Sequence, residues 1–118
     1  MMALIFLASN TPGRDLPHFG YSDLVAKKGG HVVGYALLAL AYLYAIGPRG
    51  LIAPRAAWIA VTLATVFALS DEIHQVFIPG RSAAAGDVMI DAAGAILGVG
   101  LRLLRQRRRA ALGAPPLA

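Results

Sequence analysis

The stretch TLATVFALSDEIHQVFIPGR, residues 62–81, places an apolar run directly before a cluster of charged and polar side chains. The first eight residues suit hydrocarbon, whereas the next twelve include Asp71, Glu72, His74, Gln75 and Arg81. An ionisable residue inside a membrane segment is costly, so its presence indicates a functional site. The stretch therefore predicts a membrane helix that ends in a polar site.

The composition of the whole chain also indicates a membrane protein. Its 118 residues are 58% hydrophobic and 14% charged, with a mean hydropathy of +0.64, whereas a soluble domain of this length carries about 25% charged residues. The length allows one domain. Cysteine is absent, which excludes a disulfide framework, a thiolate metal site and a cysteine nucleophile. The sequence contains no nucleotide-binding loop, nucleophile elbow or zinc-protease signature.

Three apolar segments are long enough to cross about 30 Å of hydrocarbon. They cover residues 30–47, 56–77 or 78, and 87–104. The first segment is closed by Pro48, the second by Pro79 and Gly80, and the third by a run of arginines. The expected fold is an all-α transmembrane bundle with three full spans.

The N-terminal residues 1–8 are apolar but too short to span the membrane. They are interpreted as the remainder of a truncated fourth span that packs from the N-terminus. Residues 9–29 are polar and rich in Gly and Pro, which predicts a loop.

The distribution of basic residues predicts the orientation of the chain. Five of the eleven basic residues lie in the run 102–109, and such a run favours the cytoplasmic side of a membrane. The prediction is a multi-pass protein of the cell membrane with a cytoplasmic C-terminus and extracytoplasmic loops at 9–29 and 78–86. Lys27 and Lys28, in the first of these loops, count against this orientation.

The chain divides into a membrane domain, residues 1–104, and a cytoplasmic tail, residues 105–118, that is basic and then rich in Pro and Ala. Nucleic-acid binding is not predicted, because the basic residues are confined to one tail with few aromatic side chains.

The second span contributes an acid, an imidazole and an amide to one helix face. Asp71, His74 and Gln75 are three and four residues apart, so they share a face, whereas Glu72 points about 100° away. The carboxylate would fix the tautomer of the imidazole and raise its basicity, which suits a general base or a metal ligand. A hydrogen-bond network that only holds the helices together explains the same residues.

The first span carries polar residues at the same end, with Lys28, His31 and Tyr35 spaced i, i+3 and i+7. His31 comes within reach of Asp71 or Glu72 if the two helices are neighbours. Each residue also has a structural explanation: a lysine that extends to the interface, a histidine bonded to one partner, and a tyrosine in the core or the interfacial belt.

The third span opens with two acids. Asp87 suits a helix N-cap or the first turn, and Asp91 lies one turn deeper. Arg81, just before this span, could bind a phosphate or carboxylate through two hydrogen bonds, or pair with an acid of the same cluster. Gly94 and Gly98 predict close helix packing.

These residues form the predicted site. Acid–base roles are assigned to His31, Asp71, Glu72 and His74, and ligand-binding roles to Lys28, Tyr35, Gln75, Arg81, Asp87 and Asp91. Two histidines and four carboxylates are compatible with a divalent cation such as Mg²⁺, Ca²⁺ or Mn²⁺. No spacing singles out such a site, so no metal ligands are assigned.

Four short motifs resemble the VanZ-like family of small bacterial membrane proteins. The family looks like IF-x-x-S, K-x-x-H-x-x-x-Y, S-D-E-x-H-Q-x-F-x-P-G-R and D-x-x-x-[ND]-x-x-G-x-x-x-G. The matching residues are Ile5, Phe6 and Ser9; Lys28, His31 and Tyr35; Ser70, Asp71, Glu72, His74, Gln75, Phe77, Pro79, Gly80 and Arg81; and Asp87, Asp91, Gly94 and Gly98. The chain departs from the family in its short first span and in Asp91, where many members carry Asn.

The resemblance implies a role in the cell envelope, since the family takes its name from a gene associated with resistance to the glycopeptide antibiotic teicoplanin. The expected function is a polar site near the extracytoplasmic face that binds, or acts on, an envelope lipid or a lipid-linked cell-wall precursor. One alternative is a non-enzymatic binding or assembly protein whose polar network is structural. Another is a proton-coupled transporter of small solutes, which would require a homo-oligomer. Whether the site performs catalysis stays open.

Overall fold

The computed structural model describes Met2 and residues 21–47, 54–78 and 84–113, with the side chains of the first long range described from Lys28 onward. These ranges form three α-helices and contain no strand: α1 (Tyr21–Ile46), α2 (Pro54–Gln75) and α3 (Ala85–Ala111). The all-α prediction is confirmed. The truncated N-terminal span lies outside the described residues, apart from Met2, whose sulfur accepts a hydrogen bond from the Tyr42 hydroxyl at 3.1 Å.

Helix α1 begins at Tyr21, so the prediction of a loop through residue 29 is wrong for residues 21–29. Residues 21–30 contain no proline, and their two glycines, Gly29 and Gly30, stand in open space where an added Cβ would meet nothing within 4 Å. Each glycine costs roughly 0.5–1 kcal/mol of helix propensity. The packed remainder of the helix offsets that cost.

Helix α2 begins with Pro54 at a first-turn position, where the missing N–H needs no partner. It ends at Gln75, slightly before the predicted end at residue 77 or 78. The Phe77 N–H donates to the His74 carbonyl at 3.0 Å, which is a tighter turn than that of an α-helix. Pro79 explains the early end, because it disfavours helical geometry in the residue before it.

Helix α3 continues through the arginine run to Ala111, so the predicted boundary at residue 104 falls inside the helix. Arginine is a strong helix former, and the helix stops only before Gly113. Gly113 has a φ of 69°, and its N–H donates to the Ala110 carbonyl at 3.1 Å, as in a common C-terminal cap. With 27 residues, α3 is about 40 Å long.

Small side chains face the inside of the bundle, and large apolar ones face outward. Helix α2 buries alanines at positions 56, 57, 60, 64 and 68, and it exposes Ile59, Leu63, Val66, Leu69 and Ile73. A water-soluble protein buries its large apolar residues. In a membrane, by contrast, small residues at helix interfaces allow close packing while lipid covers the large ones.

Two of the helices are long and apolar enough to cross a membrane: Lys28–Ile46 and Pro54–Gln75, each with a mean hydropathy of 1.5. Only 22% and 39% of these segments is buried, which argues against the core helices of a soluble protein. Helix α3 does not meet the same test, since it carries Asp87 and Asp91 near one end and arginines toward the other. Its spanning role stays a prediction.

Helices α1 and α3 approach most closely along a surface that we call the glycine seam: Val32, Ala36, Gly94 and Gly98. A Cβ at Gly94 would lie 2.5 Å from the Val32 carbonyl oxygen, and one at Gly98 would lie 2.9 Å from that of Ala36. The packing role predicted for both glycines is confirmed. Both pairs are 62 residues apart in sequence, so α1 and α3 run parallel. Helix α2, which follows α1 and precedes α3 in the chain, runs in the opposite direction and packs against both.

Candidate functional site

The start of α1, the end of α2 and the start of α3 meet at one end of the bundle, because α2 runs antiparallel to the other two helices. We call this the polar end. It contains every predicted site residue that the structure describes: Lys28, His31, Tyr35, Asp71, Glu72, His74, Gln75, Asp87 and Asp91. Arg81 lies outside the described residues.

His31 of α1 and Asp91 of α3 form a hydrogen-bonded pair across the helix interface. The His31 Nδ1 lies 3.2 Å from Asp91 Oδ1 and 3.4 Å from Oδ2. Asp91 is buried and His31 half-buried. The sequence places Asp71 or Glu72 within reach of His31 only if the first two helices are neighbours there, whereas the glycine seam brings α3 closest to α1. Asp71 still lies near enough for its charge to act on His31.

Lys28 and Asp87 form an ion pair at the rim of the polar end, with Nζ 3.3 Å from Oδ1. Their side chains are 46% and 40% exposed, so the pair stabilises the fold by at most about 1 kcal/mol. Asp87 lies in the first turn of α3, as one of its two interpretations predicts, and the N-cap residue is Ala84. The N-cap interpretation is therefore wrong.

The last turn of α2 carries three buried polar side chains and a partly buried histidine. Gln75 Nε2 donates to Asp71 Oδ2 at 3.2 Å, which confirms that these two residues share a face. One oxygen of Glu72 accepts the Ala84 N–H and so places a negative charge at the N-terminus of α3, where the helix dipole favours it. His74 is partly buried, with its Nε2 atom inside the protein.

Tyr35 lies one turn deeper than the ionisable groups and is 1% exposed, so the interfacial-belt interpretation is wrong. Its ring stacks on that of His31 at a centroid distance of 6.2 Å and packs against Phe67 at 6.3 Å. The Tyr35 hydroxyl is buried and has no hydrogen-bond partner among the described residues.

Along the helix axes, these polar groups pass from an exposed rim at Lys28 and Asp87 to a buried level at Asp91 and Tyr35. Within the described part of the chain, no group of three His, Asp or Glu side chains is arranged to hold a metal ion. The divalent cation that the composition allows stays a prediction.

Two features of this site were not predicted, although the sequence contains a signal for each. Lys28 and His31 are one turn apart on α1, and Asp87 and Asp91 are one turn apart on α3, so two basic residues can pair with two acids when these helices lie side by side. The inner face of α2 follows from its alanines, which recur every three or four residues and lead directly to Asp71.

Two helices of the bundle are apolar and of membrane length, and ionisable residues gather at the same end of both. This is the architecture of a small membrane protein. Residues 1–106 match the VanZ/LLP1 family. The chain therefore belongs to this family, as its four motifs predict, and family membership together with the apolar helices supports a VanZ-like membrane protein. Comparisons with curated proteins and with solved structures give no match.

Proposed function

We propose that the polar end binds the head group of an envelope lipid or of a lipid-linked cell-wall precursor, in a role like that of glycopeptide resistance. The arginine-rich end would lie in the cytoplasm, and the polar end would face the extracytoplasmic leaflet. Buried ionisable groups within a membrane helix are costly, so Asp71, Glu72 and Asp91 indicate a site for a ligand, an ion path or a proton path.

The observation that carries the proposal is the buried Tyr35 hydroxyl. A buried polar group without a partner costs about 1–3 kcal/mol, and a phenylalanine at this position would avoid that cost. The Tyr35 ring stacks on that of His31, which is hydrogen-bonded to Asp91. A head-group oxygen that enters the polar end would accept the hydrogen bond of the Tyr35 hydroxyl.

The extent of the polar end along α1 fits a head group. Lys28 at its exposed rim and Tyr35 at its buried level are separated by seven residues of α1, or about 10 Å along the helix. The interfacial layer on one side of a bilayer is about 5–8 Å thick. The site would therefore span the head-group layer and the edge of the hydrocarbon, with the acyl chains against the exposed apolar side chains of the helices.

The His31–Asp91 pair supports an extension of this function to acid–base chemistry. A carboxylate at one ring nitrogen orients an imidazole and stabilises its protonated form. In this version His31 or His74 removes a proton from a hydroxyl group of the bound lipid, while Asp71 and Glu72 orient the reacting groups. Catalysis and simple binding both require a ligand at the polar end.

The competing function is structural, because the bonds from His31 to Asp91 and from Glu72 to the Ala84 N–H each connect two elements. The substitutions Asp71→Asn and His74→Gln separate the two accounts, since they keep size and hydrogen bonding but remove the charge or the titratable ring. A structural network predicts a loss of roughly 0.6–2 kcal/mol with some function retained.

The test pairs melting temperature in detergent with glycopeptide susceptibility of cells that express each variant, and with mass spectrometry of co-purified lipid. The proposed site predicts loss of function and of bound lipid at near-native stability. Thr65→Val is the matched control, because the Thr65 hydroxyl donates only within α2, to the Val61 carbonyl at 2.9 Å. Full function in both test variants would reject the site, and parallel loss of fold and function would favour packing.

A further inference from the structure

The end of the bundle opposite the polar end is strongly basic. We call it the basic end, and it contains Arg55, Arg102, Arg105, Arg107, Arg108 and Arg109. Arg102 is partly buried, and the other five are exposed. Arg55 lies in the first turn of α2, which runs antiparallel to α3, so its charge adds to the same end.

Among the residues that the structure describes, no acidic one lies at the basic end. The chain contains no Asp or Glu between residues 24 and 70, and none after Asp91. Every acid that the structure describes lies at the polar end. None of the described carboxylates therefore balances the charge of these arginines, which makes the basic end complementary to an anionic ligand.

Aromatic side chains place the arginines at the level of lipid head groups. Tyr44, near the end of α1, is 81% exposed, and Trp58, near the start of α2, is 73% exposed. The register of the glycine seam puts Tyr44 opposite Gln106, inside the arginine run. Exposed Trp and Tyr side chains settle at the membrane–water interface, so the neighbouring guanidinium groups reach the phosphates.

The surface around the arginines is also apolar. Leu101 and Leu104 of α3 are both more than half exposed, and they alternate with Arg102 and Arg105 along the helix. A partner for this surface needs an anionic group for the guanidiniums and a hydrocarbon chain for the leucines. A phospholipid has both, whereas free phosphate and nucleic acid lack the chain.

We propose that the basic end is a binding site for anionic phospholipids, with arginines on the head-group phosphate and with Leu101, Leu104 and Trp58 against the acyl chains. Arginine binds phosphate through two parallel hydrogen bonds. Each basic residue near an anionic membrane surface contributes about 1 kcal/mol, or roughly a fivefold preference for the anionic lipid.

The single tryptophan of the chain allows a direct test, since Trp58 lies at the basic end. The intact protein is reconstituted into phosphatidylcholine vesicles in which about a tenth of the lipid carries bromine on its acyl chains, as either phosphatidylglycerol or phosphatidylcholine. Brominated lipid quenches tryptophan fluorescence on contact. We expect at least about fivefold tighter association of the anionic lipid with the Trp58 region, and equal quenching by the two lipids would overturn the proposal.

Two sets of variants locate the preference. Replacement of Arg105, Arg107, Arg108 and Arg109 by Gln should lower the ratio of association constants at an unchanged melting temperature, because only Arg55 and Arg102 of the basic end then keep their charge. The pair Trp58→Phe and Phe77→Trp moves the reporter to the polar end, where Phe77 is 78% exposed, and there we expect no preference. A preserved ratio in the glutamine variant, or the same ratio at both ends, would contradict the proposal.

A final arm separates lipid from free phosphate. Sodium phosphate and sodium chloride at matched ionic strength should weaken the preference equally, because both act by screening. Loss of the preference in phosphate alone would assign the site to the free anion and overturn the lipid proposal.

Discussion

The glycine seam and the polar end hold the same helices together in different ways. In the glycine seam the backbones of α1 and α3 touch because Gly94 and Gly98 have no side chains. At the polar end, His31, Asp91 and their neighbours connect the helices through polar atoms. Hydrogen bonds between helices in a membrane contribute only about 0.6 kcal/mol on average. The helices therefore pack closely at the glycine seam, where no polar side chain takes part. The polar residues are not needed for that packing, which favours a functional reason for their presence.

The largest loss of stability is expected in the glycine seam. Gly94→Ala puts a Cβ 2.5 Å from a backbone oxygen of α1, and overpacking of this kind costs about 1–3 kcal/mol. Gly100→Ala in the same helix is the matched control, since a Cβ there meets nothing within 4 Å; it should stabilise the helix by about 0.5–1 kcal/mol through the higher helix propensity of alanine. Unfolding in detergent measures both variants, and equal effects would show that α1 and α3 do not meet at Gly94.

A smaller effect is expected from the hydrogen bond between α1 and α3 at the polar end. In a double-mutant cycle of His31→Gln and Asp91→Asn, the coupling free energy should be about 0.6–1.7 kcal/mol, the range for interhelical bonds in membranes. The cycle requires unfolding free energies for both single variants and the double variant. A coupling of zero would mean that His31 and Asp91 do not interact in the folded protein.

The sequence predicts the helical fold and the composition of the polar end, because both follow from local signals. An apolar run of membrane length indicates a span, and a stretch such as Ser70 to Gln75 is too polar for lipid. The start of α1 is not predictable in this way, since Gly29 and Gly30 are weak helix formers that only the packed helix makes tolerable. The end of α3 is likewise set by Gly113 and not by the charge of the arginines.

The hydrogen-bond partners inside the polar end could not be predicted, because they depend on the rotation of each helix about its own axis. Large apolar residues surround α2 on several sides, so hydrophobic periodicity gives no direction for Asp71 or His74. The distinction between small and large residues supplies that direction. It also explains why His31 meets Asp91: the glycines bring α3, and not α2, against that face of α1.

The central claim is that a ligand enters the polar end, and Tyr35→Phe tests it most directly. The measurement is the amount of co-purified lipid per protein, by native mass spectrometry, in wild-type and variant samples with melting temperatures recorded alongside. Because the hydroxyl has no partner among the described residues, its removal should leave the melting temperature unchanged or raise it. Loss of one hydrogen bond to the ligand should lower lipid occupancy by about three- to tenfold. Unchanged occupancy in a stable variant would contradict the account.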